Sequence, residues 1–270
     1  MLSFREYIKP ETLDQAFQLL TENRRNTLLG GCGFLHLGNK RIRTAIDLSG
    51  LGLDFIEETD TTIEIGAMTT LRTLETSHLL NKYCSGVIPA SVKHIVGVQL
   101  RNLVTVGGTV YSRYGFSDLL TALLVLDAQV VLHGAGKLGL AEFLQEASGK
   151  GQQGRRQDLL LKVVLPKTDR KAAFMSLRGS QTDYPVLNAA VSALDGDWKI
   201  AVGARPGRAS LAPQAAGVLT GQQVTQELAE QAGQVASQEL VFGTNARGSK
   251  EYRSQLCRVL VARAVREVSA

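Results

Sequence analysis

The chain has 270 residues, 44% hydrophobic and 20% charged, with a formal net charge of +5; that length buries a sizeable core and predicts two domains. No window approaches the apolar run of a membrane span. The basic residues fall in small scattered groups (Arg24-Arg25; Lys40, Arg41 and Arg43; Arg155-Arg156) with little aromatic interleaving, which argues against nucleic-acid binding and for a solvated surface, with Arg155-Arg156 a place for an acidic partner.

The first residues, Met1 to Tyr7, lack a basic region and an apolar region, so no secretory signal is expected. Thr12 to Glu22 sets Leu13, Phe17 and Leu20 at helical spacing behind Thr12 as N-cap. Thr27-Leu28-Leu29 reads as a short buried strand entering a glycine cluster, and Thr44 to Leu48 as another strand. Thr61 to Ala67 alternates as a strand does, and Thr70 opens a helix through Leu71 and Leu74. Ala90 to Val96 is expected to be helical. Leu119 to Leu126 reads as an apolar helix, Gln129 to His133 as a strand and Leu140 to Gln145 as a short helix.

Gly149 to Gly154 is the clearest break in composition, before a strand at Leu159 to Leu165 closed by Pro166. The domain boundary is placed just after Pro166, giving domains 1–166 and 167–270, the first with subdomains of about 1–55 and 56–166. Beyond it, Ala172 to Leu177 and Val186 to Leu194 read as strands, and Asp195-Gly196 turns the second into Trp198 to Val202. Two helices finish the chain, the last carrying Tyr252, Leu256, Val259 and Leu260 on one face.

The segment Arg101 to Thr109, followed by Ser117-Asp118, is the most informative stretch. The β-branched run Val104-Thr105-Val106 meets Gly107-Gly108, which predicts a strand ending in a turn. Backbone N–H groups freed at such a turn can face a diphosphate, with hydroxyls from Thr105 and Thr109 beside them and Asp118 as acceptor for a sugar hydroxyl. A second cluster, Gly30-Gly31-Cys32-Gly33, lies upstream. Together they outline a nucleotide cradle, though either alone reads as a tight turn.

Other motifs carry less. Gly134 to Gly139 matches G-x-G-x-x-G, but no second parallel strand ending in an acidic residue follows, so it reads as a turn between strand and helix. The four histidines, His36, His78, His94 and His133, lack metal-ligand spacing, and no G-x-S-x-G occurs. Glu57-Glu58 reads as solvated surface. Cys32, Cys84 and Cys257 are odd in number and far apart, which fits a reducing cytoplasm and supplies no iron–sulfur or zinc ligand set. Neighbouring backbone donors could depress the Cys32 thiol, but a small packing role is the stronger reading. No catalytic residue and no metal ligand is assigned. Two cradles without an acid, base or nucleophile suggest a cofactor carrier.

Thr105-Val106-Gly107-Gly108 with Ser117-Asp118 and Leu126-Asp127-Ala128 resembles the "TIGGN … sD … LDA" motif of the FAD-binding subunit, or middle domain, of molybdenum hydroxylases such as xanthine dehydrogenase and carbon monoxide dehydrogenase. Leu29-Gly30-Gly31-Cys32 resembles that family's "AGGT" turn and Gln99-Leu100-Arg101-Asn102 its "qiRn". Arg178 to Ala190 resembles the start of its C-terminal domain, and Gly248-Ser249-Lys250-Glu251-Tyr252-Arg253 its final "gSaeYR" helix. The resemblance implies an α+β fold: a two-subdomain FAD-binding domain (PCMH/vanillyl-alcohol-oxidase-like), then a small domain of antiparallel sheet and helices.

By position, the resemblance assigns the diphosphate to Leu28, Leu29, Gly30, Gly31, Cys32, Gly33 and Phe34, together with Thr105, Gly107, Gly108 and Thr109. It gives Asp118 a cofactor hydroxyl with Ser117 beside it, puts Ile95 and Val96 at the adenine or ribose, and packs Leu160 nearby. Asp183 and Tyr184 match a loop that approaches the isoalloxazine, while a turn before a strand explains Tyr184-Pro185 equally well. Thr109 stands where the family has asparagine, which removes an amide donor; Cys32-Gly33 stands where it has threonine and a polar or acidic residue, which removes two side-chain contacts; and Met175 stands where some relatives have a lysine near the flavin. The implied function is electron transfer from [2Fe-2S] clusters on one partner, fed by a molybdenum-cofactor subunit, through FAD to NAD+ or another acceptor. A flavin-free scaffold subunit and a stand-alone flavin oxidoreductase are the alternatives.

Overall fold

The computed structural model describes residues 2–145 and 157–270; the glycine-rich break at 149–154 and Arg155-Arg156 lie outside the described residues. In chain order the elements are β1 (Ser3–Ile8), α1 (Leu13–Glu22), β2 (Thr27–Leu29), β3 (Arg41–Asp47), β4 (Ile56–Glu58), β5 (Thr62–Gly66), α2 (Leu71–Thr76), α3 (His78–Lys82), α4 (Val87–Val92), α5 (Val98–Leu103), α6 (Val106–Ser112) and α7 (Asp118–Leu124). They continue with β6 (Gln129–Leu132), β7 (Gly136–Gly139), α8 (Leu140–Gln145), β8 (Leu160–Pro166), β9 (Lys171–Arg178), β10 (Pro185–Leu194), β11 (Asp197–Gly203), β12 (Ser210–Leu211), α9 (Pro213–Gly217), α10 (Gln226–Glu239) and α11 (Lys250–Ser269). Contacts divide the chain into two compact units. Unit 1 joins Met1–Thr73, Val98–Ser112 and Ala128–Lys167; unit 2 joins Leu74–Gly97, Arg113–Asp127 and Thr168–Ala270.

Unit 1 carries a three-stranded sheet in the order β1-β3-β2, all parallel, and a five-stranded antiparallel sheet in the order β4-β5-β8-β6-β7. Thr12 caps α1 as its sequence predicts: its hydroxyl oxygen accepts from the Gln15 N–H at 3.2 Å. That helix sets Ala16 and Leu20 against Ile46, Leu48 and Leu159, one continuous apolar cluster. The G-x-G-x-x-G segment forms a hairpin instead of a strand-to-helix turn, since Gly136–Gly139 pairs back on β6. The carboxylate of Asp158 accepts from the N–H groups of Gly134 and Ala135, both at 2.9 Å, so the first two donors of that motif are already used.

Unit 2 carries an antiparallel sheet in the order β12-β11-β10-β9. Asp195 and Gly196 both have positive φ, at 48° and 82°, as a two-residue hairpin between β10 and β11 requires. Helices α10 and α11 pack together so closely that a Cβ on Gly233 would come within 2.3 Å of the Arg258 carbonyl oxygen. Small residues therefore make the contact (Ala229, Ala232 and Ala236 from α10). This corrects the expected face of α11: Tyr252 and Val259 point out at 48% and 44% exposure, and the buried stripe is Arg253, Cys257, Leu260, Val261, Ala264, Val265 and Val268. The short α9 was not foreseen.

The helix expected over Ala90 to Val96 begins and ends earlier, at Val87–Val92. Val96, expected to be its last residue, lies beyond it with φ of 46°, a left-handed conformation unfavourable for a β-branched side chain. Just before α4, Cys84, Ser85 and Gly86 are all left-handed (φ 46°, 58° and 70°). Ser85 is exposed, so its substitution relieves strain without opening the core. We expect Ser85→Gly to stabilise the protein by about 0.5–1 kcal/mol, read as a higher urea midpoint at unchanged slope.

Candidate functional site

In unit 1 the two glycine clusters meet. A Cβ on Gly31 would lie 1.2 Å from the Leu103 carbonyl oxygen, one on Gly33 2.7 Å from Val104 Cγ2, and one on Gly30 2.9 Å from Thr105 Oγ1. The loop after β2 is thus laid directly on the 103–105 segment, an approach that no side chain permits. Cys32 is left-handed within it, with φ of 56°.

The expected strand at Val104 to Val106 is instead a break between α5 and α6. Side-chain chemistry overrides β propensity here. The Thr105 hydroxyl oxygen accepts from the Gly108 N–H at 3.1 Å, three residues on, as a helix N-cap does. Backbone bonds then clasp the break to the loop after β5: Val106 N–H to Thr69 O at 2.9 Å, Gly107 N–H to Ala67 O at 2.7 Å, and Leu71 N–H to Val104 O at 2.9 Å. The donors expected to be free at residues 106–109 are therefore spent. Thr109 differs from expectation in the same way, because its hydroxyl donates to the Thr105 carbonyl at 2.9 Å.

The open donors lie on the other loop. Among the described residues, the N–H groups of Gly30, Gly31, Cys32 and Gly33 have no protein acceptor. A run of unpaired N–H groups around a left-handed residue is how backbone makes an anion-binding concavity. These residues fit a diphosphate. Thr105, buried beside Gly30, keeps its hydroxyl hydrogen available because its oxygen serves as the cap acceptor. Thr105→Val should cost about 1 kcal/mol through the lost cap, measured as a lower Tm, while Thr105→Ser should stay near wild type. Leu28 and Leu29 pair with Ile46 and Asp47 in the parallel sheet. Phe34 starts a 3-10 turn at Leu35–Leu37, and Leu160 is buried in β8 opposite Leu132. The Cys32 thiol, donating to the Gly30 carbonyl at 3.3 Å, is pushed up by burial and by the charge of Asp47. That removes the reading of Cys32 as an activated thiolate.

Unit 2 gathers the remaining residues singled out by sequence. Ser117 caps α7, accepting from the Leu120 N–H at 3.3 Å. Asp118, the first residue of that helix, is 2% exposed. Its Oδ2 takes the Arg178 guanidinium at 2.6 Å and its Oδ1 accepts from Asn188 Nδ2 at 2.7 Å. Burial holds its carboxyl above the ordinary carboxylate value, although Arg178 and Asn188 pull it down. Each oxygen already accepts a bond, so the remaining lone pairs are what a ligand hydroxyl would meet.

Arg178 also donates to the Asp183 carbonyl at 2.8 Å, tying α7 to the loop before β10. On that loop the Tyr184 ring packs on Phe116 at 4.5 Å between centroids, and Phe116 stacks on Tyr114 at 5.0 Å. The Arg247 guanidinium lies 4.8 Å from the centre of the Tyr184 ring and pairs with Asp183 at 3.3 Å. Ile95 and Val96 form the turn after α4, Val96 being 40% exposed. Sequence reasoning missed Arg178, Asn188, Phe116 and Arg247. Arg178 meets Asp118 across 60 residues of chain, which no local pattern reveals.

Residues 2–168 match the FAD binding domain in molybdopterin dehydrogenase, and residues 172–268 match the CO dehydrogenase flavoprotein C-terminal domain. The chain is 27% identical to the nicotine 6-hydroxylase medium subunit of Paenarthrobacter nicotinovorans over 275 residues, covering 98% of this chain and 97% of that one. It is 30% identical over 141 residues to the xanthine dehydrogenase FAD-binding subunit of Escherichia coli O157:H7, covering 49% of this chain and 47% of the other. In fold it matches a chain of the reconstituted CO dehydrogenase from Oligotropha carboxidovorans, with a TM-score of 0.89 at 24% identity and coverage of 99% and 98%. The α+β architecture implied by the resemblance is thus the architecture found. The chain belongs to the FAD-binding medium subunits of the molybdenum hydroxylases, with FAD as its cofactor and oxidoreduction as its chemistry.

Proposed function

We propose that this chain is the electron-transfer subunit of a multi-subunit, cytoplasmic molybdenum hydroxylase. Its partners are a subunit with [2Fe-2S] clusters and a subunit with the molybdenum cofactor, and the electrons leave to NAD+ or another acceptor. The observation that carries the reading is the run of open N–H donors at Gly30 to Gly33, packed on Thr105. Full-length similarity to a medium subunit supports it, as do three cysteines too scattered to hold a cluster.

Bound FAD supplies the chemistry that passes electrons between a cluster and an acceptor. The chain's residues bind and orient it. Gly30, Gly31, Cys32 and Gly33 offer the diphosphate their N–H groups, and Thr105 adds a hydroxyl donor. Gly107, Gly108 and Thr109 serve by shaping the helix turn that holds Thr105. Asp118, kept in place by Arg178 and Asn188, accepts from a cofactor hydroxyl, with Ser117 fixing the helix start. Ile95, Val96 and Leu160 give apolar contact, and Asp183 and Tyr184 approach the ring. The domain division 1–166 and 167–270 belongs to this reading.

Purification of the complex from its native source tests the assignment. Iron and molybdenum should co-purify with the chain, and substrate should bleach the flavin band at roughly 450 nm. A chain that purifies alone, free of both metals, and turns over NADH with an artificial acceptor would instead establish the stand-alone oxidoreductase.

A further inference from the structure

Arg253 is 1% exposed, yet no carboxylate answers it among the described residues. Its Nε donates to the Val186 carbonyl at 2.9 Å, Nη1 to the carbonyls of Gly243 (2.8 Å) and Gly248, and Nη2 to Asn245 Oδ1 at 2.6 Å. A buried guanidinium spent wholly on backbone and amide oxygens fixes a loop. The loop is 243–248, closed on itself by reciprocal Asn245–Gly248 backbone bonds of 3.1 Å and by Asn245 Oδ1 accepting from the Arg247 N–H at 2.9 Å. This rigid loop presents Arg247, which reaches the Tyr184 ring and the Asp183 carboxylate together. Arg178 holds the same segment from the other end by its bond to the Asp183 carbonyl.

We propose that Arg247 is the positioning residue of the flavin-facing segment Asp183-Tyr184. It fixes the angle of the Tyr184 ring through face contact and the turn through Asp183, on a loop anchored by Arg253. A guanidinium suits this because one planar group can stack on a ring and donate in its own plane. A lysine keeps the charge but loses the fork. The inference rests on the reading that Asp183-Tyr184 approaches the cofactor ring.

The test uses the full chain with Arg247→Ala, Arg247→Lys and Tyr184→Ala. FAD affinity is measured by fluorescence quenching, the visible flavin spectrum is recorded, and amide hydrogen exchange across 179–185 is followed without FAD. Arg247→Ala should speed exchange in that segment, shift the flavin band in the same sense as Tyr184→Ala, and weaken FAD binding about five- to tenfold. Arg247→Lys should recover part of each effect. If Tyr184→Ala moves the spectrum and Arg247→Ala leaves spectrum, affinity and exchange at wild-type values, the positioning role is overturned while the flavin reading stands. If neither alanine variant moves the spectrum of bound FAD, the segment does not face the ring and the inference falls with it. A wild-type chain that takes up no FAD removes the reading beneath both.

Discussion

Gly31→Ala should all but abolish FAD binding, weakening it at least about a hundredfold, and should cost roughly 1–3 kcal/mol of stability. The new methyl would stand 1.2 Å from the Leu103 carbonyl oxygen, which is backbone and cannot rotate away. The loop must lift from the 103–105 segment, and the open N–H groups of residues 30–33 lose their common placement with Thr105. Gly33→Ala should be milder, since its clash is with Val104 Cγ2 at 2.7 Å, a side-chain methyl with some freedom to move. Flavin fluorescence titration and a urea melt on both variants check the order. Equal affinities for Gly31→Ala and wild type would mean that the loop does not hold the cofactor.

The second large effect is expected at Arg178. Replacing it with leucine leaves the 2%-exposed Asp118 carboxylate with Asn188 as its one side-chain partner among the described residues, at a cost of about 3–5 kcal/mol at neutral pH. The pH dependence has a definite sign. Burial already holds the Asp118 carboxyl above its ordinary value, and losing the guanidinium, which pulls it down, raises it further above its unfolded value. Folding then takes up a proton, so the variant regains stability as the pH falls through the raised folded value, most fully below the ordinary carboxylate range. Arg178→Leu should therefore lie closest to wild type in mildly acidic urea melts and furthest from it at pH 7 and above. Arg178→Leu combined with Asp118→Asn should be more stable than Arg178→Leu alone at neutral pH, because no charge remains to be buried. A loss that stays constant across the range would show that the pair is not the source of the effect.

These two sites also show what the sequence made legible. Helix α1 was readable to the residue because its signals are local: Thr12 caps it and Leu13, Phe17 and Leu20 repeat at its period. The β10–β11 hairpin was readable because Asp195-Gly196 tolerates the left-handed backbone that such turns need. The 104–106 stretch misled because three β-branched residues vote for a strand, while the deciding bond, Thr105 to Gly108, is a capping bond only three residues long. Thr105 is a residue type that caps helices, but the β-branched run around it carries the more familiar signal.

The candidate site was half legible. Both glycine clusters were identified, but the donors fell on the other loop, because the clasp to Ala67 and Thr69 is a tertiary contact that consumes the N–H groups of Val106 and Gly107. Asp118 stands out in the sequence as a candidate, and its partners do not. Arg178 and Asn188 reach it from β9 and β10, across 60 and 70 residues of chain. Arg247 was missed for a related reason: nothing in its local sequence marks it, and only the fold puts it on a tyrosine ring.

The central claim is that the backbone of residues 30–33 grips the diphosphate of FAD. Amide hydrogen exchange of the full chain with and without saturating FAD measures this at the atoms concerned. The N–H groups of Gly30, Gly31, Cys32 and Gly33 should exchange rapidly in the free chain and become strongly protected with FAD. Those of Gly107, Gly108 and Thr109, already bonded within the protein, should change little. Saturating FAD that leaves the 30–33 amides as fast as in the free chain would contradict it.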